Sequence, residues 1–542
     1  MTVKTIIKPS EYHDSVSLML TARELSKLDG VLDAAVMMAT EANKSILAEA
    51  GLLTDEARAA TPNDLVIAVS SESDSLADAA LQKVDSLLKK KTTSSEAGVF
   101  QSKTIRGALA SHPDVNVAVI SVAGRYATDE AWDALSHGLH VLLFSDNVSL
   151  EDEIALKKYA REHGLLLMGP GAGTTILNNV ALGFANALPA GPVGVVSAAG
   201  TGLQEVTTLL ARRGVGITQG IGTGGRDLKK EVGGIMMLEA IKALQDDPTT
   251  AVLTLISKPP AGEVVQSILE QVSASSKPTV ICFLGGNMDS VAKIPNVIPA
   301  RTLYECALLT AQVSLIPNPS PEGEGSLSPL SLRERARVRE ILAAENADFK
   351  KQANELRKKL NPDQRYLRGL FSGGTLCYEA QVIWKDILDS PVYSNAPLPD
   401  GAALPDSTKS YQHSAVDLGE EEFTVGRPHP MIDNDLRIRR LLQEARDPQT
   451  AVIMLDVVIG YGAHPDPASE LGNAVEEAMR LGRVQSGAEG QKRELLFIAS
   501  VTGTEDDPQS LSRTTSTLER AGVIVCNSNS AAARLSGLIV GG

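Results

Sequence analysis

Aromatic residues make up only 4% of the chain, too few for the stacking platforms that grip single-stranded nucleic acid. Positive charge is also in deficit. The 51 Lys and Arg residues face 66 Asp and Glu, a net charge of −15, and no basic footprint for DNA or RNA is expected. Four cysteines (Cys282, Cys306, Cys377 and Cys526) lie far apart without a CxxC pair. That spacing gives neither a zinc site nor a disulfide framework and predicts reduced thiols in a cytoplasmic protein. No run approaches the roughly 18 apolar residues of a membrane span. The opening MTVKTIIKPSEYHDS lacks the apolar stretch of a secretory signal. GxxxxGK(S/T) is absent, which removes a P-loop, and GTGGRD lacks the spacing and acidic partner of a dinucleotide fingerprint. His429 and His464 show no HxxxH or HxH spacing, so no metal site is expected.

What is present is an alternation of strands and helices. A chain of 542 residues exceeds one core and predicts several domains. In residues 1–95, SVSLML, VLDAAVMMA and DLVIAVS read as strands and ARELSKLD and SLADAALQKVDSLLKKK as helices, the order of a ferredoxin-like unit. No polar cluster marks a catalytic group there. In residues 96–188, VNVAVISVA, HVLLFSD and LLLMGP read as buried parallel strands with crossover helices, a Rossmann-like half-sheet. Residues 189–316 form a further α/β unit with strands GVVSA, GITQGIG, AVLTLIS and TVICFLGG. Residues 317–362 begin rich in Pro, Gly, Ser and Arg and turn helical through KQANELRKKL. They read as a linker or insertion whose deletion over 317–340 should leave the fold intact. A last α/β unit, 363–542, carries strands in RGLFSGG, AVIMLDVVIG, LLFIASV and GVIVCNS.

One internal repeat stands out. GVVSAAGTGLQE (194–205) and GLFSGGTLCYE (369–379) each join an apolar strand to a helix through small residues, with Glu at the second helical turn. Small residues let an anion approach the unpaired amides of the helix N-terminus, where the helix dipole favours negative charge. Ser197, Gly200, Thr201 and Gly202, with Ser372, Gly373, Gly374 and Thr375, are therefore candidate phosphate ligands. The plain alternative is two αβ turns capped by Ser and Thr. GIGTGGRDLKKEVGG offers the amides of Gly222, Gly224 and Gly225 and the guanidinium fork of Arg226, or is simply a surface loop. Lys258 ends the strand AVLTLIS, where parallel sheets present ligand-contacting groups. Lys258 and Arg226 are the catalytic candidates. GRPHPMID adds Arg427 and His429, and SVTGTEDDPQ adds Thr502, Gly503 and Thr504 to the candidate pocket.

In order along the chain, VNVAVISVA, GLLLMGP, GPVGVVSAAGTGLQE, GIGTGG, DDPTTAVLTLI and KPTVICFLGG resemble the α subunit of succinyl-CoA synthetase. The last unit resembles the CoA-ligase domain of its β subunit. More closely, GTGGRDLKKEVGGI, LISKPPA, VGRPHPMID, MLDVVIGYGA and VTGTEDDPQ resemble the FdrA family. The resemblance implies a multidomain α/β fold with Rossmann-like and flavodoxin-like parallel sheets. It makes 96–188 a CoA-binding-type domain, 189–316 a flavodoxin-like synthetase domain and 363–542 a CoA-ligase-type domain.

Three departures qualify it. The Gly-His-Ala-Gly stretch that carries the synthetases' phosphohistidine is replaced by GNMDSVAKIPNVIPARTLYECA, without His. Their strand-end Glu-Ile-Gly-Gly becomes Ser257-Lys258-Pro259-Pro260, and no ATP-grasp domain is present. The family's Gly-Pro-Asp-Cys-Gly-Thr is here Gly169-Pro170-Gly171-Ala172-Gly173-Thr174. The implied activity is that of an oxamate carbamoyltransferase subunit in allantoin catabolism, converting oxalurate and phosphate to oxamate and carbamoyl phosphate with two other subunit types. The alternatives are a CoA-dependent acyl ligase without the usual phosphohistidine and a non-catalytic scaffold subunit. No cofactor is assigned; a phosphate or a CoA-like molecule is the expected ligand.

Overall fold

A computed structural model describes residues 2–11, 13, 15–89, 102, 104–315, 332–424, 428–484 and 493–541. Two compact units divide the chain: residues 1–103 with 421–428, and residues 104–420 with 429–542.

The first unit holds a three-stranded antiparallel sheet in the order Thr2–Lys8, Leu65–Ser71, Val31–Met38. Helices Ser15–Ser26 and Asp74–Lys89 accompany it. SVSLML is thus helical, not a strand. Its buried positions continue as Leu18, Thr21 and Leu25, a spacing that only a helix places on one face. The actual first strand is TVKTIIK, whose lysines disguise it.

The second unit contains three sheets. Val117–Ile120, His140–Leu143 and Leu167–Met168 form the parallel Rossmann-like half-sheet. A seven-stranded sheet follows in the order Val297–Pro299, Thr279–Phe283, Val252–Ser257, Ala190–Ser197, Ile217–Gly222, Thr174–Leu177, Val180–Gly183. Its last two strands form a hairpin that pairs antiparallel to Ile217–Gly222. The hairpin, grouped with 96–188 on sequence, therefore belongs to the next sheet. The third sheet is parallel throughout: Ala402–Ala403, Val392–Ser394, His413–Asp417, Tyr366–Phe371, Thr450–Val458, Leu496–Thr502, Ile524–Cys526.

The two large sheets share one apolar core, which takes in Ile256, Leu303, Phe371, Trp384 and Leu535. Helices Gly200–Ala211, Leu303–Ser314, Gly374–Lys385 and Asn529–Val540 are buried almost all round. Helices apolar on every side must lie between other elements, and these four lie between the two sheets.

Two carboxylates from the internal repeat fix this packing reciprocally. Glu205, on the Gly200 helix, accepts the amide of Asn529 at 2.9 Å, the first residue of the last helix of the other half. Glu379, on the Gly374 helix, accepts the amide of Leu303 at 2.6 Å, the first residue of the opposite half's last helix. The Asn529 side chain also donates to Glu379 at 2.8 Å. Each Glu supplies the acceptor that an N-terminal amide lacks within its own helix.

The linker expectation is revised by helix Leu332–Arg357. Val338, Ala353 and Leu356 enter the shared core, Tyr304 donates to Glu345 at 2.6 Å, and Arg357 donates to the Ile539 carbonyl at 2.9 Å. The expected helical turn is present from Leu332, and deleting 317–340 would take the buried Val338 out of the shared core. The expected Pro-rich start lies outside the described residues.

Candidate functional site

In the first large sheet the order of neighbouring strands reverses beside Ala190–Ser197, which leads into the Gly200 helix; its neighbour Val252–Ser257 leads into Lys258. Such switch points leave a crevice at the carboxyl ends of parallel strands. In the second sheet Tyr366–Phe371 leads into the Gly374 helix and pairs with His413–Asp417, so that Phe371 and Asp417 stand side by side.

The two helix starts meet. Thr201 Cγ2 lies 2.8 Å from where a Cβ on Gly373 would stand, and Thr375 Cγ2 lies 3.0 Å from the same position on Gly202. Any side chain at Gly373 would collide with the opposite turn. The amides of Gly200, Thr201, Gly202, Gly374, Thr375 and Leu376 have no acceptor among the described residues. Two positive helix ends of roughly half a charge each therefore share one neighbourhood.

Lys258 joins them. Its Nζ is 3.8 Å from a Gly374 Cβ position and 5.5 Å from the centre of the Tyr378 ring, and it forms no ion pair among the described residues. Asp417 reaches the same position: Oδ2 lies 2.5 Å from the Gly374 Cβ position, and Oδ1 accepts the Gly419 amide at 2.9 Å. Burial pushes the Asp417 carboxyl up to about 7, against the pull of nearby Lys258. His429 Nδ1 accepts the Met431 amide at 3.2 Å, which leaves the proton on Nε2. That nitrogen lies 2.8 Å from a Cβ position on Gly419, and Asp417 Oδ1 lies 3.2 Å from it. Burial holds His429 down at about 4, so the ring is neutral. The loop that follows Thr279–Phe283 reaches the same helix: a Cβ on Gly285 would stand 3.2 Å from Val382 and 3.7 Å from Tyr378.

Other candidates are engaged elsewhere. Ser372 donates its amide to Asp456 at 2.8 Å and its hydroxyl at 3.1 Å, and the Gly373 amide reaches Asp456 at 2.8 Å. Asp456 also pairs with buried Arg437 at 2.7 Å. An internal carboxylate thus occupies the donors assigned to a ligand anion. The Ser197 hydroxyl donates to the Ala199 carbonyl at 2.8 Å and accepts its amide at 3.0 Å, closing the turn on itself.

Arg226 is a correction. Its Nε pairs with Glu153 at 2.8 Å and Nη2 donates to the Val148 carbonyl at 2.7 Å. Buried Lys157 ties the same Glu153 to Asp227, both at 2.8 Å. The fork expected to hold substrate instead docks the glycine loop on the Rossmann-like domain. Gly222 and Gly224 are close-approach positions: Cβ atoms there would meet the carbonyls of Thr174 at 2.2 Å and Pro170 at 2.6 Å. Gly225 is open, with the Ala198 carbonyl 4.0 Å away.

Thr502, Gly503 and Thr504 are also engaged by other groups. Thr502 donates to Glu205 at 2.5 Å, and the Gly503 carbonyl accepts from Arg212 at 2.8 Å. Arg212 sits 12 residues beyond Gly200, about 18 Å along the helix. Thr504 donates its amide to Asp507 at 2.7 Å and its hydroxyl to the Ala187 carbonyl at 2.9 Å. These residues clamp the two halves together. Arg427 falls outside the described residues. Among the described residues no group of three or more His, Cys, Asp or Glu side chains is placed to hold a metal ion, and no helix is long and apolar enough to cross a membrane. All four cysteines are free thiols.

The site thus consists of Gly200, Thr201, Gly202, Lys258, Gly374 and Thr375, joined by Asp417, Tyr378 and His429. Asp417, Asp456 and Tyr378 were missed on sequence. The rule that singled out Lys258, a polar residue ending a buried parallel strand, applies equally to Asp417 in HSAVD.

Comparison with known proteins follows this division. Residues 1–104 match the family model of the AllF heavy metal-associated domain, residues 190–285 a CoA binding domain and residues 370–539 a CoA-ligase domain. The CoA-binding match thus falls on the first large sheet, one unit later than the 96–188 expected from the resemblance. The succinate–CoA ligase (ADP-forming) α subunit of Methanothermobacter thermautotrophicus is 26% identical over 176 residues, 32% of this chain and 58% of that protein. Subunit SauD of the ADP-forming sulfoacetate-CoA ligase of Bilophila wadsworthia is 25% identical over 198 residues, 35% of this chain and 65% of that protein. Among solved structures, the dinucleotide-forming acetyl-coenzyme A synthetase 1 of Ca. Korarchaeum cryptofilum aligns over 82% of this chain and 86% of that one, with 14% identity and a TM-score of 0.35. The uncharacterized protein YahF of Escherichia coli K12 is 42% identical over 531 residues, 98% of this chain and 97% of that protein. With CoA-binding and CoA-ligase domains in one chain and that extent of identity, the protein belongs to the succinyl-CoA synthetase-like family that includes YahF.

Proposed function

We propose that this chain is a subunit of an oxamate carbamoyltransferase that carries the phosphate site for converting oxalurate and phosphate to oxamate and carbamoyl phosphate, together with two other subunit types. One observation carries the reading: two abutting helix N-termini, whose amides have no acceptor among the described residues, share a neighbourhood with Lys258, which forms no ion pair among them. That set suits a phosphate that attacks and departs without ever being attached to the protein. Helix amides stabilise the developing charge, and the site holds phosphate against the carbamoyl carbon. Support also comes from the loop at Gly285, which reaches Tyr378 beneath Lys258 but carries no His between Leu284 and Thr302.

A second reading, a CoA-dependent acyl ligase, is favoured by the CoA-binding and CoA-ligase domains themselves. One assay separates the two. The purified chain, alone and with the products of neighbouring genes, is given oxalurate with phosphate, or a carboxylic acid with ATP and CoA. Phosphate-dependent formation of carbamoyl phosphate is expected. ATP-dependent thioester formation, or an acid-labile, base-stable phosphoenzyme, would instead establish the ligase.

A further inference from the structure

Asp417 ends a wholly buried strand and is 2% exposed. Its Oδ1 is held by the Gly419 amide, while Oδ2 accepts no hydrogen bond among the described residues and lies against the first residue of the Gly374 helix. A carboxyl on a residue this deeply buried is costly to ionise. The groups around it are few. Lys258 is the nearby cation but forms no ion pair with it. Glu420 and Asp456, the latter paired with Arg437, add negative charge. Cys377 is a buried thiol pushed well above its usual range, and neutral His429 shares Gly419 with Oδ1.

We propose that Asp417 is the general acid of carbamoyl transfer, giving its proton to the amide nitrogen that departs from the carbamoyl carbon. The assignment rests on the carbamoyltransferase reading and deepens it. In the step, an oxygen of hydrogenphosphate forms a bond to the ureido carbon as the carbon–nitrogen bond of oxalurate breaks. The bonding pair goes to nitrogen, which takes the Asp417 proton and becomes the NH2 of oxamate. The proton of the hydrogenphosphate then restores Asp417, and carbamoyl phosphate leaves as the dianion. An amide nitrogen is a poor leaving group and needs an acid at this moment, whereas a phosphate or thiolate leaves without one. Lys258, beside the same Gly374 position, holds the phosphate charge.

The test is the pH dependence of kcat/KM for oxalurate at constant phosphate dianion, measured on the full assembly. In the wild type the value falls about tenfold per pH unit above about 7, as the acid form is lost. Asp417→Asn loses about a hundredfold or more and loses that alkaline limb, while its affinity for inorganic phosphate, read by titration calorimetry, stays within about threefold. Asp417→Asn activity close to wild type, or an alkaline limb that survives the substitution, overturns the assignment and leaves the carbamoyltransferase reading standing. Should the variant not fold, the wild-type profile decides, and a flat profile overturns it. Absence of any phosphate-dependent oxalurate cleavage by the wild-type assembly removes the reading and Asp417's role with it.

Discussion

The two copies of the strand–turn–helix repeat share a backbone plan and differ in what neutralises them. The Gly200 turn is closed by its own Ser197 hydroxyl, and its helix-start amides have no acceptor among the described residues. The Gly374 turn is flanked by two carboxylates. Asp456 takes the amides of Ser372 and Gly373 and is balanced by Arg437. Asp417 faces the first helical residue and has the charge of Lys258 nearby, but no ion pair among the described residues. Duplicated geometry therefore does not imply duplicated chemistry. Under the proposed mechanism, one turn serves anion binding alone, the other anion binding combined with proton transfer.

The sharpest break in this comparison comes from glycine. Gly373→Val should cut phosphate-dependent oxalurate cleavage by about a hundredfold or more and also lower the thermal midpoint, because its Cβ strikes Thr201. At Gly200 the nearest atom to a Cβ is Thr174 Oγ1 at 3.5 Å. Gly200→Val should lose activity on the same scale with the midpoint nearly unmoved; equal midpoint losses in the two variants would erase the distinction. Asp456→Asn comes next. It leaves Arg437 buried without its charge partner and should cost about 3–5 kcal/mol in urea unfolding. The counterpart change, Ser197→Ala, should cost only about 1 kcal/mol.

Acidity sharpens the contrast further. Burial raises Glu379 and Asp417 to about 7, above their unfolded values near 4. The folded chain therefore binds protons more tightly than the unfolded one. Their contribution is complete below about pH 4 and is lost as pH rises through about 7, on the order of a few kcal/mol. Urea midpoints should fall between about pH 4 and 7, and Glu379→Gln and Asp417→Asn should each flatten the slope. The smallest effect belongs to Arg226→Ala. Its side chain is 34% exposed, so the loss should be about 1 kcal/mol or less, and phosphate affinity should hold within about threefold. A large loss of affinity would return Arg226 to the site.

The parallel sheets and the repeat were legible because buried apolar strands and small-residue turns are local signals. The endpoints of the hydrogen bonds were not. Ser372 shows its donors in the sequence, but the Asp456 that receives them is 84 residues away. Arg226 looks like a free fork until Glu153, from another domain, is found against it. His413–Asp417 escaped notice because a five-residue strand bounded by His and Asp has little apolar signature. SVSLML misled for the opposite reason: a short apolar run fits either period, and its helical continuation through Leu25 decides it.

The crossed attachment of Glu205 and Glu379 has an evolutionary reading. Each half begins its closing helix on a carboxylate owned by the other. Each closing helix has a side-chain cap of its own, Ser528 or Thr302, to which the other half adds a carboxylate. The pairing has the logic of two gene products that depended on each other before they shared a chain, and fusion would have made permanent a partnership already obligatory. It also predicts a single melting event for both halves. A cut between them should yield fragments that are insoluble when made separately and recoverable when made together.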